Sequence, residues 1–265
     1  MILIQCALYV EAKPLIEKFD LKKNMKENFF EVFENDDIKL IISGYGKINA
    51  SSSATYLVSK NLDCNAFLNI GIAGSRKRKI GEAVLINKLK DYDTQRTFYP
   101  DILLKHKFKE GFLETFSKVV NFEVEDLCDM EGSAFFEALS RFLPPHKIQL
   151  IKIVSDKLDG ERLDFDFVYD IVKQNVEYVE DYINCLNKAF KKDEFFDVND
   201  KIVINTIVDN LSLTEFQKNE FIKNYISFKL RKEDLNKIDR FLKLKVKNKN
   251  EGKKYYNELI RIISE

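Results

Sequence analysis

The chain has 265 residues, of which 45% are hydrophobic and 32% are charged, and its 43 basic side chains are matched by 43 acidic ones. This balance leaves no overall field that would attract nucleic acid or an anionic membrane, and 9 Gly and 4 Pro argue against an irregular or low-complexity chain. The hydrophobic content is sufficient for a sizeable core, so we expect a folded globular protein.

The cysteines and histidines argue against a metal site. The 4 cysteines are spread along the chain without a C-x-x-C pair, and with only 2 histidines a Cys/His zinc site is nearly excluded. The apolar segment Met1–Val10 has no basic region in front of it, and Glu11 follows at once, which indicates a buried strand rather than a signal peptide or membrane span. We therefore expect a cytoplasmic protein that uses neither a metal nor an organic cofactor.

Apolar and periodic segments alternate along the first 190 residues. Strands are predicted for Met1–Val10, Phe29–Asn35, Ile38–Ser43, Cys64–Ile70, Glu82–Leu89, Phe122–Leu127 and Ile148–Ser155, and helices for Glu11–Phe19, a segment after Gly46, Ser133–Phe142 and Phe165–Phe190. Between Lys90 and Lys118 the pattern predicts only a loop and a short helix. The alternation predicts an α/β domain with a mainly parallel or mixed sheet.

The composition changes near residue 191. Asn, Lys, Ile and Phe become frequent, glycine nearly disappears and helical periodicity dominates, with Ser212 and Glu215 at the spacing of a capping box. We expect residues 1–190 to form the α/β domain and residues 191–265 an all-helical extension of three or four helices. Mixed charge and the lack of regularly spaced aromatics argue against nucleic-acid binding by this extension, and favour a structural cap or a subunit contact.

Several polar motifs are predicted to meet at one edge of the sheet, because ligands of α/β folds bind outside the carboxyl ends of the strands. These motifs are Glu11, the glycine turns at 44–46 and 71–74, the Ser155-Asp156 pair, and the Asp129-Met130-Glu131 group. Each has a structural explanation when taken alone: a tight turn for the glycines, and a helix cap for the aspartates. Their combined order carries more information.

That order resembles a known family. A glutamate after the first strand, SGYGKINA at 43–50, NIGIAG at 69–74, DMEGSA at 129–134 and a strand-borne Ser-Asp pair follow one another. Together they resemble the nucleoside phosphorylase/nucleosidase superfamily over residues 1–185, in particular its methylthioadenosine/adenosylhomocysteine nucleosidases and futalosine hydrolases. The resemblance implies a three-layer α/β fold with a mixed central sheet, a homodimer and a small-molecule nucleoside ligand.

The resemblance also implies roles for individual residues. Cleavage of an N-glycosidic bond builds positive charge on the ribose and negative charge on the departing base, so the base needs a general acid. Asp156 matches this acid, with Ser155 beside it, and Glu11 matches the carboxylate that positions and deprotonates the attacking water. Glu131 matches the residue that binds the ribose hydroxyls, and Met130 the thioether packed on the sugar. Two carboxyl groups on opposite sides of the bond are typical of inverting hydrolysis.

Water rather than phosphate is the expected nucleophile. Phosphorolytic relatives carry a hydroxyl residue where this chain has Ile72, which cannot hydrogen-bond an oxyanion. The basic run at 76–79 is interpreted as a solvated turn, because four consecutive side chains cannot share one face. Lys152 is a candidate cationic partner for Glu11, and Gly44, Ile72 and Ala73 are candidate substrate contacts. A phosphorylase remains the alternative enzyme.

The region that would form the base pocket departs from the family. The stretch 90–129 is shorter than in relatives, so at least one helix–strand pair is expected to be absent or reduced. Phe108 lies at about the right distance along the chain to form a platform for the base, and Tyr92, Arg96 and Tyr99 belong to a loop suited to closing over a ligand. Because the base pocket defines the substrate, a nucleoside-binding or scaffold module without turnover remains a third alternative.

Overall fold

The structure is a computed structural model that describes residues 1–160, 164–190, 198–231 and 234–264. It divides into two compact units, Met1–Lys191 and Lys192–Glu265. The first unit contains a sheet with helices, and the described part of the second is helical. Each unit has its own hydrophobic core.

The first unit is built from strands and helices in alternation. Its described strands are β1 (Ile2–Cys6), β2 (Lys22–Lys23), β3 (Glu31–Glu34), β4 (Ile38–Ile42), β5 (Ala66–Gly74), β6 (Ala83–Asp91), β7 (Thr97–Phe98), β8 (Lys109–Thr115), β9 (Leu127–Asp129) and β10 (Ile148–Asp156). Its described α-helices are α1 (Tyr9–Lys18), α2 (Lys47–Ser59), α3 (Gly132–Leu139), α4 (Phe165–Lys173) and α5 (Val176–Phe190), and a 3-10 turn spans Pro145–Lys147.

The strands form one mixed sheet that partly closes on itself. The order β10-β6-β8-β9-β5 returns to β10, which also pairs with β5, and the sheet continues from β5 through β1, β4 and β3 to β2. The pairs β4–β1, β1–β5 and β5–β10 are parallel, whereas β10–β6 and β5–β9 are antiparallel. The carboxyl ends of β1, β4, β5 and β10 therefore lie at the same edge of the sheet.

Helices cover both faces of this sheet. Along β5, Phe67 packs into the cluster that contains Phe135 of α3, and the next residue, Leu68, packs into the cluster that contains Leu15 of α1 and Ile183 of α5. Consecutive strand residues point to opposite faces, so both faces of β5 are buried, as its continuous apolar sequence predicts. The three-layer arrangement with a mixed central sheet is confirmed.

Three element predictions are wrong. The stretch between Lys90 and Lys118 contains β7 and β8 rather than a short helix, and the strand predicted from Phe122 begins only at Leu127. The predicted single helix over Phe165–Phe190 is two helices, α4 and α5. The side-chain amide of Asn175, between them, donates to the carbonyl oxygens of Gly81 (3.0 Å) and Ile171 (2.8 Å), which anchors the break to the turn before β6.

The described part of the second unit contains α6 (Val198–Leu211), α7 (Glu215–Leu230), a 3-10 turn (Leu235–Ile238), α8 (Asp239–Lys243) and α9 (Lys249–Ser264). Its core includes Phe221, Phe228 and Phe241, all fully buried. The capping box at the start of α7 joins Thr214 and Gln217 rather than Ser212 and Glu215: the Gln217 N–H donates to Thr214 Oγ1 at 3.3 Å, and the Thr214 N–H donates to Gln217 Oε1 at 3.0 Å. None of the described helices is long and apolar enough to cross a membrane.

Candidate active site

A cavity of about 420 Å³ opens at the edge of the sheet where β1, β5 and β10 end. Its described lining includes Glu11, Ile72, Ala73, Met130, Glu131, Ser155 and Asp156. The structure thus brings together residues from four separate sequence motifs. Since β5 lies between β1 and β10, Glu11 and Asp156 stand on opposite sides of the backbone at 72–74.

Glu11 lies in the first turn of α1 and is buried, with 3% of its surface exposed. Its Oε2 accepts a hydrogen bond from the Leu8 N–H at 2.8 Å, and its Oε1 accepts one from the Ile72 N–H at 3.0 Å. A Cβ at Gly71 would come within 3.1 Å of Oε1, so this position needs a small residue. Burial raises the pKa of Glu11, although the two N–H donors and Lys152 oppose this. A carboxylate with a raised pKa is a stronger base.

Glu131 lies directly before α3 and is also buried. Its Oε1 accepts a hydrogen bond from the N–H of Gly46 at 2.8 Å. Gly46 has φ +95°, a backbone conformation that favours glycine, so the turn before α2 depends on this residue type. Burial, followed by repulsion from Asp129, raises the pKa of Glu131 to about 7, and attraction to Lys152 opposes the rise.

Asp129 has a larger role than capping α3. Its Oδ2 accepts from the Gly132 N–H at 2.8 Å, as a cap does, but it also lies 2.8 Å from Lys152 Nζ. Its Oδ1 accepts from the Thr115 hydroxyl at 2.7 Å. Lys152 makes its ion pair with Asp129 rather than with Glu11, although its charge still lowers the pKa of Glu11. Burial alone would lower the pKa of Lys152, but Asp129, Glu131 and Glu11 outweigh it and raise the pKa, so the lysine is charged.

Ser155 and Asp156 end β10. The hydroxyl of Ser155 donates to Asp156 Oδ2 at 2.7 Å, and the N–H of Leu158 donates to Asp156 Oδ1 at 2.9 Å. Leu158 has φ +59°, a strained value for a leucine that this hydrogen bond holds in place. A Cβ at Gly74 would lie 2.2 Å from the Leu158 side chain and 2.8 Å from Asp156 Oδ1. The last glycine of GIAG therefore makes room for the carboxyl group.

Five predicted contacts are not part of the described cavity lining, and one of them, Tyr92, stacks on Phe116 with 4.3 Å between the ring centroids. The ring of Phe108 packs edge-on against Tyr182, 5.8 Å between centroids, and is partly buried against the core cluster under α5. Arg96 pairs with Glu137 on the outside of α3, and Tyr99 is 63% exposed. Gly44 adjoins the lining at Tyr45 without contributing to it. Sequence distance placed Phe108 wrongly because this stretch forms β8 and the loop before it.

The cavity wall that sequence reasoning missed is Lys118–Val120, here called the valine loop, together with Tyr45, Cys128 and Leu158. Val119 is 81% exposed, yet lines the cavity. Apart from Tyr45, which lies in the SGYGKINA motif, these residues belong to no motif. The one signal in the sequence is that the stretch 90–129 is shorter than in relatives, which indicates that this stretch forms a different cavity wall. Burial and nearby carboxylates raise the pKa of Cys128 to about 12, so its thiol is neutral.

The basic run at 76–79 lies in a largely exposed bend, as predicted, but its side chains also bind specific partners. A guanidinium nitrogen of Arg76 donates to the carbonyl oxygen of Asn121, next to the valine loop, at 2.9 Å. Arg78 makes a two-pronged ion pair with Asp126, at 2.7 Å from Nε and 2.6 Å from Nη2. The side chains fan out to different carbonyl and carboxylate partners, so they do not need to share one face. They anchor the loop that forms one wall of the cavity.

The described part of the chain contains no group of three or more His, Cys, Asp or Glu side chains placed to hold a metal ion. What the cavity offers instead is carboxyl chemistry. It presents a buried carboxylate of raised pKa on one side, a second carboxyl group across the end of β5, and a third that binds a backbone amide and retains acceptor capacity.

Comparisons with known proteins agree with the motifs, although no family model matches the chain. An aminodeoxyfutalosine nucleosidase of Campylobacter jejuni is 26% identical over 203 residues, which is 61% of this chain and 87% of that protein. The crystal structure of a 5'-methylthioadenosine/S-adenosyl homocysteine nucleosidase, also from Campylobacter jejuni, has a TM-score of 0.54 at 24% identity and covers 67% of this chain and 96% of its own. The Neisseria meningitidis 5'-methylthioadenosine/S-adenosylhomocysteine nucleosidase in complex with methylthio-immucillin-A has a TM-score of 0.58 at 17% identity, with 69% and 97% covered.

The structural likeness shows the fold, and the sequence similarity to a nucleosidase adds an independent agreement. The resemblance suggested by the order of the motifs is therefore confirmed: the chain is similar in sequence to an aminodeoxyfutalosine nucleosidase and shares the fold of 5'-methylthioadenosine/S-adenosylhomocysteine nucleosidases.

Proposed function

We propose that the α/β unit is a nucleosidase, which hydrolyses the N-glycosidic bond of a purine nucleoside or a related modified nucleoside. The observation that carries this proposal is the placement of Glu11, Glu131 and Asp156 around one cavity, with Glu11 and Asp156 on opposite sides of the end of β5. A module that only binds nucleosides has no need of an acid at the base and a base at the water. Similarity to nucleosidases in sequence and fold supports the same conclusion.

In the proposed reaction each carboxyl group has one task. Asp156, oriented by Ser155 and the Leu158 N–H, gives its proton to a ring nitrogen of the base as the C1′–N bond breaks and the bond's electron pair leaves with the base. Glu11 takes a proton from the water whose oxygen bonds to C1′ on the opposite face. Glu131 accepts hydrogen bonds from the ribose hydroxyls, which strengthen as positive charge builds on the sugar.

The shortage of available cations in the described cavity lining favours water over phosphate as the nucleophile. A phosphate nucleophile needs positive charge and hydroxyl donors. Within the described lining there is no arginine, and Ile72 occupies the glycine motif. The ammonium group of Lys152 is committed to Asp129 at 2.8 Å. A phosphorylase therefore has less support than a hydrolase, although Lys118 also lines the cavity.

The oligomeric state and the role of the second unit are inferred as well. We infer from the resemblance that the chain works as a homodimer in the cytoplasm, and that residues 191–265 are a structural addition to the nucleosidase unit of residues 1–190. Light scattering coupled to size-exclusion chromatography gives the mass in solution, and a mass of one chain, 31.1 kDa, would exclude the dimer.

The function is tested by incubating the pure protein with a panel of purine nucleosides, with and without phosphate, and measuring free base and sugar by chromatography. We expect base release that does not depend on phosphate, and its loss in Asp156→Asn. Release only with phosphate would identify a phosphorylase. Tight binding without release from any nucleoside would leave a binding module.

A further inference from the structure

Asp91, the last residue of β6, is buried but does not contribute to the described lining of the cavity. Its Oδ2 accepts a hydrogen bond from the Ser133 hydroxyl at 2.7 Å and lies 2.6 Å from Lys47 Nζ. Its Oδ1 accepts from the N–H of Thr94 at 2.9 Å and from the Thr94 hydroxyl at 3.0 Å. One carboxylate thus ties three segments of the chain together.

Two of those segments form the site. Lys47 directly follows Gly46, whose N–H donates to Glu131, and Ser133 lies two residues after Glu131. Asp91 therefore binds a neighbour of each partner in the Gly46–Glu131 hydrogen bond, and holds the start of α2 against the start of α3. We propose that Asp91 is a positioning residue: it fixes Glu131 on the Gly46 amide and so aims the remaining acceptors of Glu131 at the sugar hydroxyls. This inference rests on the proposed function.

The charges suit a permanent anchor. Burial would raise the pKa of Asp91, but Lys47, Ser133 and Thr94 outweigh it and lower the pKa to about 2. The same ion pairs, with Asp91 and Asp93, raise the pKa of Lys47 against the effect of its own burial. Both groups are therefore charged over the whole pH range in which an enzyme is assayed, and the ion pair is present whenever the protein is folded.

The test compares Asp91→Asn with Asp93→Asn. Asp93 also binds Lys47, at 2.5 Å, but its side chain is 49% exposed, which makes it a matched control. Asparagine keeps the size of the side chain and an acceptor for Ser133, and removes the charge. Each variant is assayed for kcat and KM on a ribonucleoside and on its 2′,3′-dideoxy analogue, which lacks the hydroxyl groups that Glu131 would bind.

The expected result is selective. Because Glu131 would be misaimed in Asp91→Asn, we expect its kcat/KM on the ribonucleoside to fall by about tenfold or more. On the dideoxy analogue the loss should be less than about twofold. Asp93→Asn should stay within about twofold of wild type on both substrates. Equal losses of kcat/KM on both substrates would show a merely structural role for Asp91 and would overturn the proposal. An unchanged kcat/KM of Asp91→Asn on the ribonucleoside would overturn it as well.

A second measurement keeps this inference separate from the proposed function. Amide hydrogen exchange of Gly46 in the unliganded protein should be faster in Asp91→Asn than in wild type, while the Ile72 amide, bonded to Glu11, exchanges at the same rate. If wild type cleaves no nucleoside, the proposed function fails, and the exchange rate alone decides whether Asp91 holds the Gly46–Glu131 hydrogen bond. An unchanged exchange rate at Gly46 would overturn the proposed role of Asp91. If Asp91→Asn does not fold, Ser133→Ala removes one bond, and we expect the same selectivity with a smaller loss.

Discussion

Replacing Glu131 with glutamine should make the folded protein more stable at alkaline pH while abolishing its activity. The carboxyl group has a pKa of about 7 in the folded state against 4.5 for an exposed glutamate, because it is buried next to Asp129. A difference of that size corresponds to about 3 kcal/mol at about 1.4 kcal/mol per pKa unit. Ionised Glu131 therefore costs the folded state roughly this free energy above pH 7.

The sign and the window follow from the two pKa values. Below about pH 4.5 both the folded and the unfolded chain carry the proton, and the cost is absent. Between 4.5 and 7 the unfolded chain releases its proton first, so the free energy of unfolding falls with rising pH, and above about 7 the full cost applies. Glutamine is neutral throughout and keeps an acceptor for the Gly46 N–H.

The assay is urea denaturation of wild type and Glu131→Gln at pH 5 and pH 8. We expect a gain in the free energy of unfolding of up to about 3 kcal/mol at pH 8 and a gain below about 1 kcal/mol at pH 5. Glu137→Gln, on the exposed side of the same helix, is the control and should change stability by less than about 0.5 kcal/mol at either pH. An equal effect of Glu131→Gln at both pH values, or a loss at pH 8, would refute the reasoning.

Three further predictions follow from the same contacts. Lys152→Met should destabilise the protein by about 3–5 kcal/mol in urea denaturation, because it leaves Asp129 buried without its cation; a change below about 1 kcal/mol would contradict the ion pair. The kcat/KM for a nucleoside should rise as pH increases from 5 to 8 with a midpoint near 7, since both Glu131 and Glu11 have raised pKa values and act as carboxylates; a flat profile would argue against these roles. Phe108→Ala should lower stability by about 2–4 kcal/mol and leave KM unchanged, and a large change in KM would restore Phe108 to the site.

The sequence was sufficient for the architecture of the first unit because strands and turns leave local signals. Continuous apolar runs predict β1, β5 and β10, and polar or glycine motifs mark their carboxyl ends. Parallel pairing then brings those ends to one edge, which is why Glu11, Ile72 and Asp156 line one cavity. The start of β9 and the break between α4 and α5 depend on individual contacts, such as those of Asn175, which leave no periodic pattern in the sequence.

The partners of the charged residues could not be predicted in the same way. The buried ammonium group of Lys152 on β10 pairs with Asp129, and it is the pairing of β9 beside β5 and β8 that places this carboxylate within its reach. The valine loop and the anchoring of Arg76 depend on loop geometry, which sequence periodicity does not encode. The platform for the nucleoside base was predicted at Phe108 from its distance along the chain, but this aromatic ring packs against the core instead.

The most direct test of the account is proton NMR of the sugar product formed by the wild-type protein from a β-ribonucleoside, with and without phosphate. Water attack on the face opposite the base predicts a free sugar that appears first as the α-anomer at the same rate in both buffers, and none with Glu11→Gln. A sugar 1-phosphate formed only with phosphate, or no sugar from any nucleoside, would contradict the account.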